Sequence, residues 1–154
     1  MNFLLESEDR PVIWRGPLIG RAITQLWGDV MWGDLDYLLV DLPPGTSDAS
    51  LTTMQSLPVN GIIMVTTPQS LASMIVRKAV HMAQAVNTPI VGVVENMAYF
   101  LCPDTGKQHF IFGPSHAREV AFAASAPLLA QLPIDPQVAA SCDAGEIEQL
   151  TLSE

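Results

Sequence analysis

Short apolar runs alternate along this chain with segments whose apolar residues recur at helical spacing. The apolar runs predict five strands, at residues 11–14, 36–42, 60–68, 88–96 and 127–135. The segments between and after them predict helices at residues 20–32, 47–57, 69–86, 115–126 and 136–145. Ser47 or Asp48 is expected to cap the second of these helices.

The predicted strands are continuous apolar runs such as GIIMV (61–65), without the polar alternation of a sheet that faces water. This pattern predicts a doubly wound, mostly parallel α/β sheet with helices on both faces. The 154 residues have the size of one ordinary domain. We expect that domain to span residues 1–145, with a tail at 146–154.

Composition and charge narrow the class of protein. Charged residues make up only 15% of the chain and its net charge is -9, which argues against binding to a nucleic-acid backbone. The longest apolar runs are too short to span a membrane. Cys102 and Cys142 are the two cysteines, and no cationic, apolar leader opens the chain. These features favour a reducing, cytoplasmic location with free thiols.

One aspartate stands out within the stretch LLVDLPPGTSD (38–48). Open parallel sheets bind ligands beyond the carboxyl ends of their strands, and Asp41 falls at such an end. A carboxylate there can hold Mg²⁺ through a water, and the N–H of Gly45 can reach a terminal phosphate. Taken alone, the stretch is more typical of a Pro-Gly turn in which Asp48 caps the next helix.

Six motifs occur in an order and spacing that carry a family resemblance: FLLESEDRPVIWRGP (3–17), WGDLDYLLVDLPPGTSDASLT (32–52), VTTPQ (65–69), GVVENMAYFLCP (92–103), IFG (111–113) and LPIDP (132–136). Together they resemble the Mrp/ApbC family. Members of this family are P-loop ATPases, related to MinD and ParA, that carry iron-sulfur clusters to apoproteins. The resemblance implies a P-loop-type α/β fold, binding of ATP with Mg²⁺, and cluster delivery to iron-sulfur apoproteins.

The resemblance also implies roles for single residues. Asp41 corresponds to the magnesium-associated catalytic carboxylate of the Walker B motif, and Gly45 and Thr46 to the segment that senses the γ-phosphate. Asn96 corresponds to the asparagine that recognises adenine through its amide. Pro133 and Asp135 correspond to the loop that flanks the base. A strand-to-helix turn in which Asp135 caps the helix fits the sequence equally well.

The chain departs from the family in its phosphate-binding loop. Family members carry a glycine-rich Walker A loop well before these motifs, whereas the two lysines here, Lys78 and Lys107, lie in no such pattern. The chain therefore resembles the carboxyl-terminal portion of a family member, and this argues against ATP hydrolysis by this polypeptide alone. The missing strand would leave sheet edges unpaired beside residues 36–42 and 60–67, so we expect self-association.

A second departure concerns the cluster ligands. The family's carriers place a Cys-x-x-Cys pair after YF, so that a symmetric dimer supplies four thiolates to one iron-sulfur cluster. Here Cys102 is followed by Pro103, Asp104 and Thr105, so the second cysteine is replaced. We expect Cys102 to remain the candidate cluster ligand.

Two other functions stay open. The absent phosphate loop and the broken cysteine pair are also typical of a non-enzymatic dimerisation or interaction module derived from such an ATPase. Cys102, His109 and His116 could form a zinc site, although their spacing differs from the short paired spacing of structural zinc motifs.

Overall fold

A computed structural model describes residues 16–150 of the chain. The helices are α1 (Gly16–Asp29), α2 (Asp48–Ser56), α3 (Ser70–Ala85), α4 (Ala117–Ala124) and α5 (Pro136–Ala144). The strands are β1 (Ile62–Thr66), β2 (Ile90–Glu95), β3 (Phe100–Leu101), β4 (Gln108–His109) and β5 (Leu128–Gln131), and a 3-10 turn spans Ile147–Gln149. Among residues 16–150, no helix is long and apolar enough to cross a bilayer.

A parallel three-stranded sheet forms the centre of the fold. Its strand order is β1-β2-β5, and both neighbouring pairs run parallel. Helix α3 connects β1 to β2, so these elements form a crossover unit of the kind that parallel strands require. The α/β class with a parallel sheet flanked by helices is therefore confirmed, as are the five predicted helices within a few residues at each end.

The hydrophobic core lies between the sheet and helices α3 and α4. Val80 and Ala83 of α3 and Val120 of α4 are fully buried against Met64 and Val93 of the sheet. Their burial explains the helical spacing of apolar residues in both helices, because only one face of each helix contacts the strands. Helix α2 adds Met54 to the same core, and α1 packs on α2.

The opposite face of the sheet is open in the part of the chain that the structure describes. Ile63, Val65, Val91 and Leu129 point outward there, and Val65 remains 57% exposed. We call these four side chains the open sheet face. In this part of the chain, coverage by helices is one-sided, whereas the continuous apolar runs predicted coverage on both faces.

Two strand predictions have other outcomes. Residues 36–42 form no strand, and Tyr37 and Leu39 are 86% and 89% exposed, so that prediction is wrong. A strand requires hydrogen-bonded neighbours, and among residues 16–150 the ladder next to β1 is formed by β2 alone. The strand predicted at 11–14 lies outside the described residues.

A small antiparallel hairpin interrupts the long connection between β2 and α4. Strands β3 and β4 pair Phe100 with His109 and Leu101 with Gln108. Two-residue strands leave no apolar run in the sequence, which is why the sequence predicted only a loop here. The hairpin holds Cys102 at its turn.

Candidate functional site

A row of polar side chains crosses the carboxyl ends of the three parallel strands. Thr66, Glu95 and Gln131 end β1, β2 and β5, and they lie side by side in register. Glu95 is 0% exposed, and its Oε2 accepts a 2.6 Å hydrogen bond from Gln131 Nε2. The strand ends thus meet at one edge, where open parallel sheets bind their ligands.

Asn96 is the first residue beyond β2 at this edge. Its backbone N–H donates to the carbonyl of Thr66 at 2.8 Å, which fixes the position of the side chain relative to β1. Its side-chain Oδ1 accepts from the N–H of Met97 at 2.9 Å, and Met97 adopts a left-handed φ of 55°. Asn96 is exposed, and its recognition of a base stays a prediction.

The segment that contains Pro133 and Asp135 is hydrogen-bonded to the segment that follows Asn96. Ala98 N–H donates to the carbonyl of Leu132 at 2.9 Å, and Ile134 N–H donates to that of Tyr99 at 2.7 Å. The structure therefore brings the two predicted base-side segments together.

Asp135 itself acts as a helix cap. Its Oδ1 accepts from Gln137 N–H at 2.8 Å, and Pro136 occupies the first turn of α5. This is the local geometry expected of an N-cap aspartate. Pro133 is exposed next to it. A contact of either residue with a base stays a prediction.

Asp41, Gly45 and Thr46 lie on the connection between α1 and α2. Asp41 and Thr46 are exposed, and Gly45 adopts a φ of +79°, which a residue with a Cβ rarely does. The connection is held to α2 because Ser50 Oγ donates to Pro43 O at 3.4 Å, and Ser47 Oγ caps the helix. Asp41 thus presents its carboxylate to solvent from a loop, and its magnesium role stays a prediction.

Cys102 opens the turn between β3 and β4. Its N–H donates to the carbonyl of Lys107 at 2.9 Å, and Gly106 N–H donates back to the carbonyl of Cys102 at the same distance. The side chain of Thr105, followed by the backbone of Thr105 and Asp104, hydrogen-bonds the sulfur and holds the pKa of the Cys102 thiol below its ordinary value. A lower pKa raises the thiolate fraction, and thiolate is the form that binds metals.

The zinc alternative receives no support from the described residues. Among residues 16–150, no three His, Cys, Asp or Glu side chains lie close enough to hold a metal ion together. His109 belongs to β4, and His116 Nδ1 instead lies 3.3 Å from Glu119 Oε1 in the first turn of α4. Cys102, His109 and His116 are therefore not assembled into one ligand set.

The sequence placed Glu95 at the end of a strand but did not predict its contact with Gln131, or the contact of Gln131 with Ser115. Gln131 donates both to Glu95 and to Ser115 Oγ, the latter at 3.1 Å. The pairing of Gln131 with Glu95 joins positions 36 residues apart, and no short-range pattern reports it. The one available signal was a glutamate at the end of the apolar run IVGVVE, since buried charged residues are rare without a partner.

A parallel sheet with helices along it, and polar residues gathered at its carboxyl edge, is the architecture of the α/β proteins that bind ligands beyond their strand ends. The sequence model of the ParA family, described as NUBPL iron-transfer P-loop NTPases, matches residues 1–154. The chain belongs to this family, and the resemblance seen in the sequence is confirmed.

Known relatives agree with this assignment. The chain is 47% identical over 95% of its length to an iron-sulfur cluster carrier protein of Aquifex aeolicus, covering 40% of that protein. It is 46% identical over 95% of its length to the carrier protein of Saccharolobus solfataricus, covering 50% of it. The chain thus spans about half the length of the curated relatives it matches.

A solved structure is similar as well. A nucleotide-binding protein from Archaeoglobus fulgidus, in complex with ADP and with cobalt found in it, superimposes with a TM-score of 0.78 at 44% identity. The match covers 88% of this chain and 56% of that protein.

Proposed function

We propose that this chain is part of a nucleotide-linked iron-sulfur cluster carrier and supplies its base-recognition end and its cluster thiol. The observation that supports the proposal is that backbone hydrogen bonds join the segment after Asn96 to the segment of Pro133 at the carboxyl edge of the sheet. The hairpin that holds Cys102 follows directly. One continuous stretch of backbone therefore links the two chemistries. The carrier names of its relatives point the same way.

The nucleotide would be ATP with Mg²⁺, bound beyond the strand ends. Asn96 offers outward amide N–H groups to the ring nitrogens of adenine, and Pro133 supplies an apolar surface beside them. Asp41 would hold Mg²⁺ through a water, because Mg²⁺ keeps several waters and needs only one or two carboxylates beside the phosphates. Gly45 and Thr46 would contact the terminal phosphate.

The iron-sulfur cluster is cargo, and Cys102 is its proposed ligand. Iron-sulfur clusters prefer four thiolates, and two copies of this chain would supply two. The other two coordination positions of the cluster would stay open to thiols of an incoming apoprotein. Such an incompletely ligated cluster would be easier to deliver than to store. Thr105, in place of a second cysteine, favours the thiolate of Cys102 by hydrogen bonding.

Calorimetric titration with Mg²⁺-ATP tests the nucleotide part of the proposal. We expect saturable binding tighter than about 100 µM, or about -5.5 kcal/mol, that weakens in Asp41→Ala and in Asn96→Ala. Asp34→Ala, at another exposed aspartate on the same connection, should bind like the wild type. Absence of binding heat in the wild type, or equal loss in all three variants, would reject the assignment.

We propose self-association as a second function, favoured by the apolar side chains of the open sheet face. Ile63, Val65, Val91 and Leu129 are 51%, 57%, 52% and 48% exposed. Contiguous exposed apolar side chains of this kind commonly mark a contact surface for another chain.

The proposed contact is the open sheet face together with the free edge of β1. Ile62 N–H donates to Pro89 O and Thr66 O accepts from Asn96 N–H, so alternate residues of β1 point toward β2. Ile63 and Val65 then direct their backbone groups to the other edge. Neither β1 nor the open sheet face carries a charged residue, such as the lysines that commonly protect edges.

Sedimentation or light scattering tests this contact. Wild type should run as a dimer at micromolar concentration, and Val65→Lys should shift it toward monomer. Phe122→Lys is the matched control, because Phe122 is 89% exposed on α4, in the helix layer on the other side of the sheet. A monomeric wild type, or a dimer that Phe122→Lys disrupts and Val65→Lys does not, would contradict the proposal.

A further inference from the structure

The connection between β2 and α4 carries both candidate chemistries on one loop. It starts with Asn96, holds Cys102 at the hairpin turn, and ends at Ser115, whose Oγ accepts from Ala117 N–H at 3.2 Å at the start of α4. We call residues 96–115 the cysteine loop. A contact that joins its two ends therefore restrains the loop that carries both residues.

One side chain joins these two ends. Gln131 Nε2 donates to Glu95 Oε2 at 2.6 Å and to Ser115 Oγ at 3.1 Å. Glu95 immediately precedes the cysteine loop, and Ser115 is its last residue. The two N–H groups of one amide therefore bridge the start of the loop to its end across the end of β5.

Burial of the Glu95 carboxyl group destabilises the fold unless its oxygens are hydrogen-bonded. The side chain is fully buried, and its Oε1 has no hydrogen-bond partner among the described residues. Gln131 supplies the side-chain donor to this carboxyl group in that part of the chain, at 2.6 Å. The hydrogen bond from Gln131 is therefore the side-chain contact that partly satisfies this buried group.

We propose that Gln131 is a positioning residue that clasps both ends of the cysteine loop and so couples Asn96 to Cys102. The clasp makes the loop a closed unit whose start and end move together. A ligand that displaces Asn96 also displaces the adjacent Glu95. The hydrogen bonds of Gln131 then transmit this displacement to Ser115 at the other end of the loop. The coupling to nucleotide rests on the proposed function, whereas the closure of the loop does not.

The test measures the loop with and without nucleotide. Cys142→Ser leaves Cys102 as the single thiol, because the chain has two cysteines. In this background, Ser115→Ala and Gln131→Ala should raise the alkylation rate of Cys102 by iodoacetamide about fivefold to tenfold, as expected for the loss of one or two hydrogen bonds. Amide exchange of Cys102 and Gly106 should rise in parallel, and by more than exchange within α3, which reports only the change in global stability.

Gln84→Ala is the matched control. Its Nε2 also donates across elements, to the carbonyl of Ala123 at 3.1 Å, yet it contacts no end of the cysteine loop. We expect it to leave the alkylation rate within about twofold. Equal acceleration in Gln84→Ala and Gln131→Ala, or no acceleration in Ser115→Ala and Gln131→Ala, would overturn the clasp.

The nucleotide arm separates this inference from the proposed function. Mg²⁺-ATP should change the alkylation rate of Cys102 in the wild-type loop, and the change should vanish in Ser115→Ala. If ATP does not bind while both clasp variants still accelerate alkylation, the nucleotide proposal fails and the clasp stands as a structural closure. If ATP binds and affects Ser115→Ala as it affects the wild type, the coupling is refuted.

Discussion

Truncation of Gln131 should destabilise the chain more than truncation of the comparable Gln84. Gln131→Ala leaves the fully buried carboxyl group of Glu95 without its side-chain donor, and a buried polar group left unsatisfied costs about 1–3 kcal/mol. Gln84→Ala removes a bond to an ordinary backbone carbonyl, which contributes about 0.5–1.5 kcal/mol. The expected difference between the two variants is about 1–2 kcal/mol in the free energy of unfolding.

Urea denaturation followed by circular dichroism measures this difference. With a slope of about 1–3 kcal/mol per molar urea, the midpoint of Gln131→Ala should fall below that of Gln84→Ala by roughly 0.5–1 M. All variants should be compared at one protein concentration, because association stabilises the folded state. Equal midpoints would show that Glu95 gains little from Gln131, and the argument from its burial would then be wrong.

Three further substitutions test the packing and the thiol. Gly92→Ala should destabilise the fold by about 1–3 kcal/mol, because the added Cβ would lie 2.6 Å from Leu129 Cδ1. Gly20→Ala is the control and should be neutral or stabilising by up to about 1 kcal/mol, because its Cβ would lie at an ordinary 3.5 Å from Thr52 Cγ2. The urea midpoints of the two variants measure this difference. Thr105→Ala should raise the pKa of Cys102 by removing its hydroxyl donor, and a pH profile of Cys102 alkylation checks this.

The effect of Thr105→Ala on stability depends on pH with a defined sign. A thiol pKa that is lowered by folding adds stability that is present above the ordinary thiol pKa and lost as the pH falls through the lowered value. The stability lost in Thr105→Ala should therefore be greatest at alkaline pH and vanish at acidic pH. A profile that is flat in pH would contradict the proposed hydrogen bond.

The sequence predicted the elements whose partners lie close along the chain. Strand β1, helix α3 and strand β2 follow one another, and their apolar runs and helical spacing were sufficient to place them. The strand predicted at 36–42 failed because an apolar run shows only that burial is favourable and does not show which strand will pair with it. The exposure of Val65 on the open sheet face was not predicted either, because an apolar run does not show which element will cover it.

The candidate site was predictable only in part. The ends of apolar runs led to Asn96 and to the Pro133 segment, since the carboxyl ends of parallel strands meet at one edge. Hydrogen bonds such as that from Gln131 to Glu95 depend on side-chain geometry across 36 residues and leave no local trace. The donor role of Thr105 toward Cys102 likewise depends on the shape of the turn.

The most direct test of the carrier account is native mass spectrometry after anaerobic reconstitution with iron and sulfide. We expect one iron-sulfur cluster on a dimer of the chain, lost in Cys102→Ser and retained in Cys142→Ser, because Cys102 is the proposed ligand and Cys142 lies in α5. Apoprotein free of iron, or equal iron in the two variants, would contradict the account.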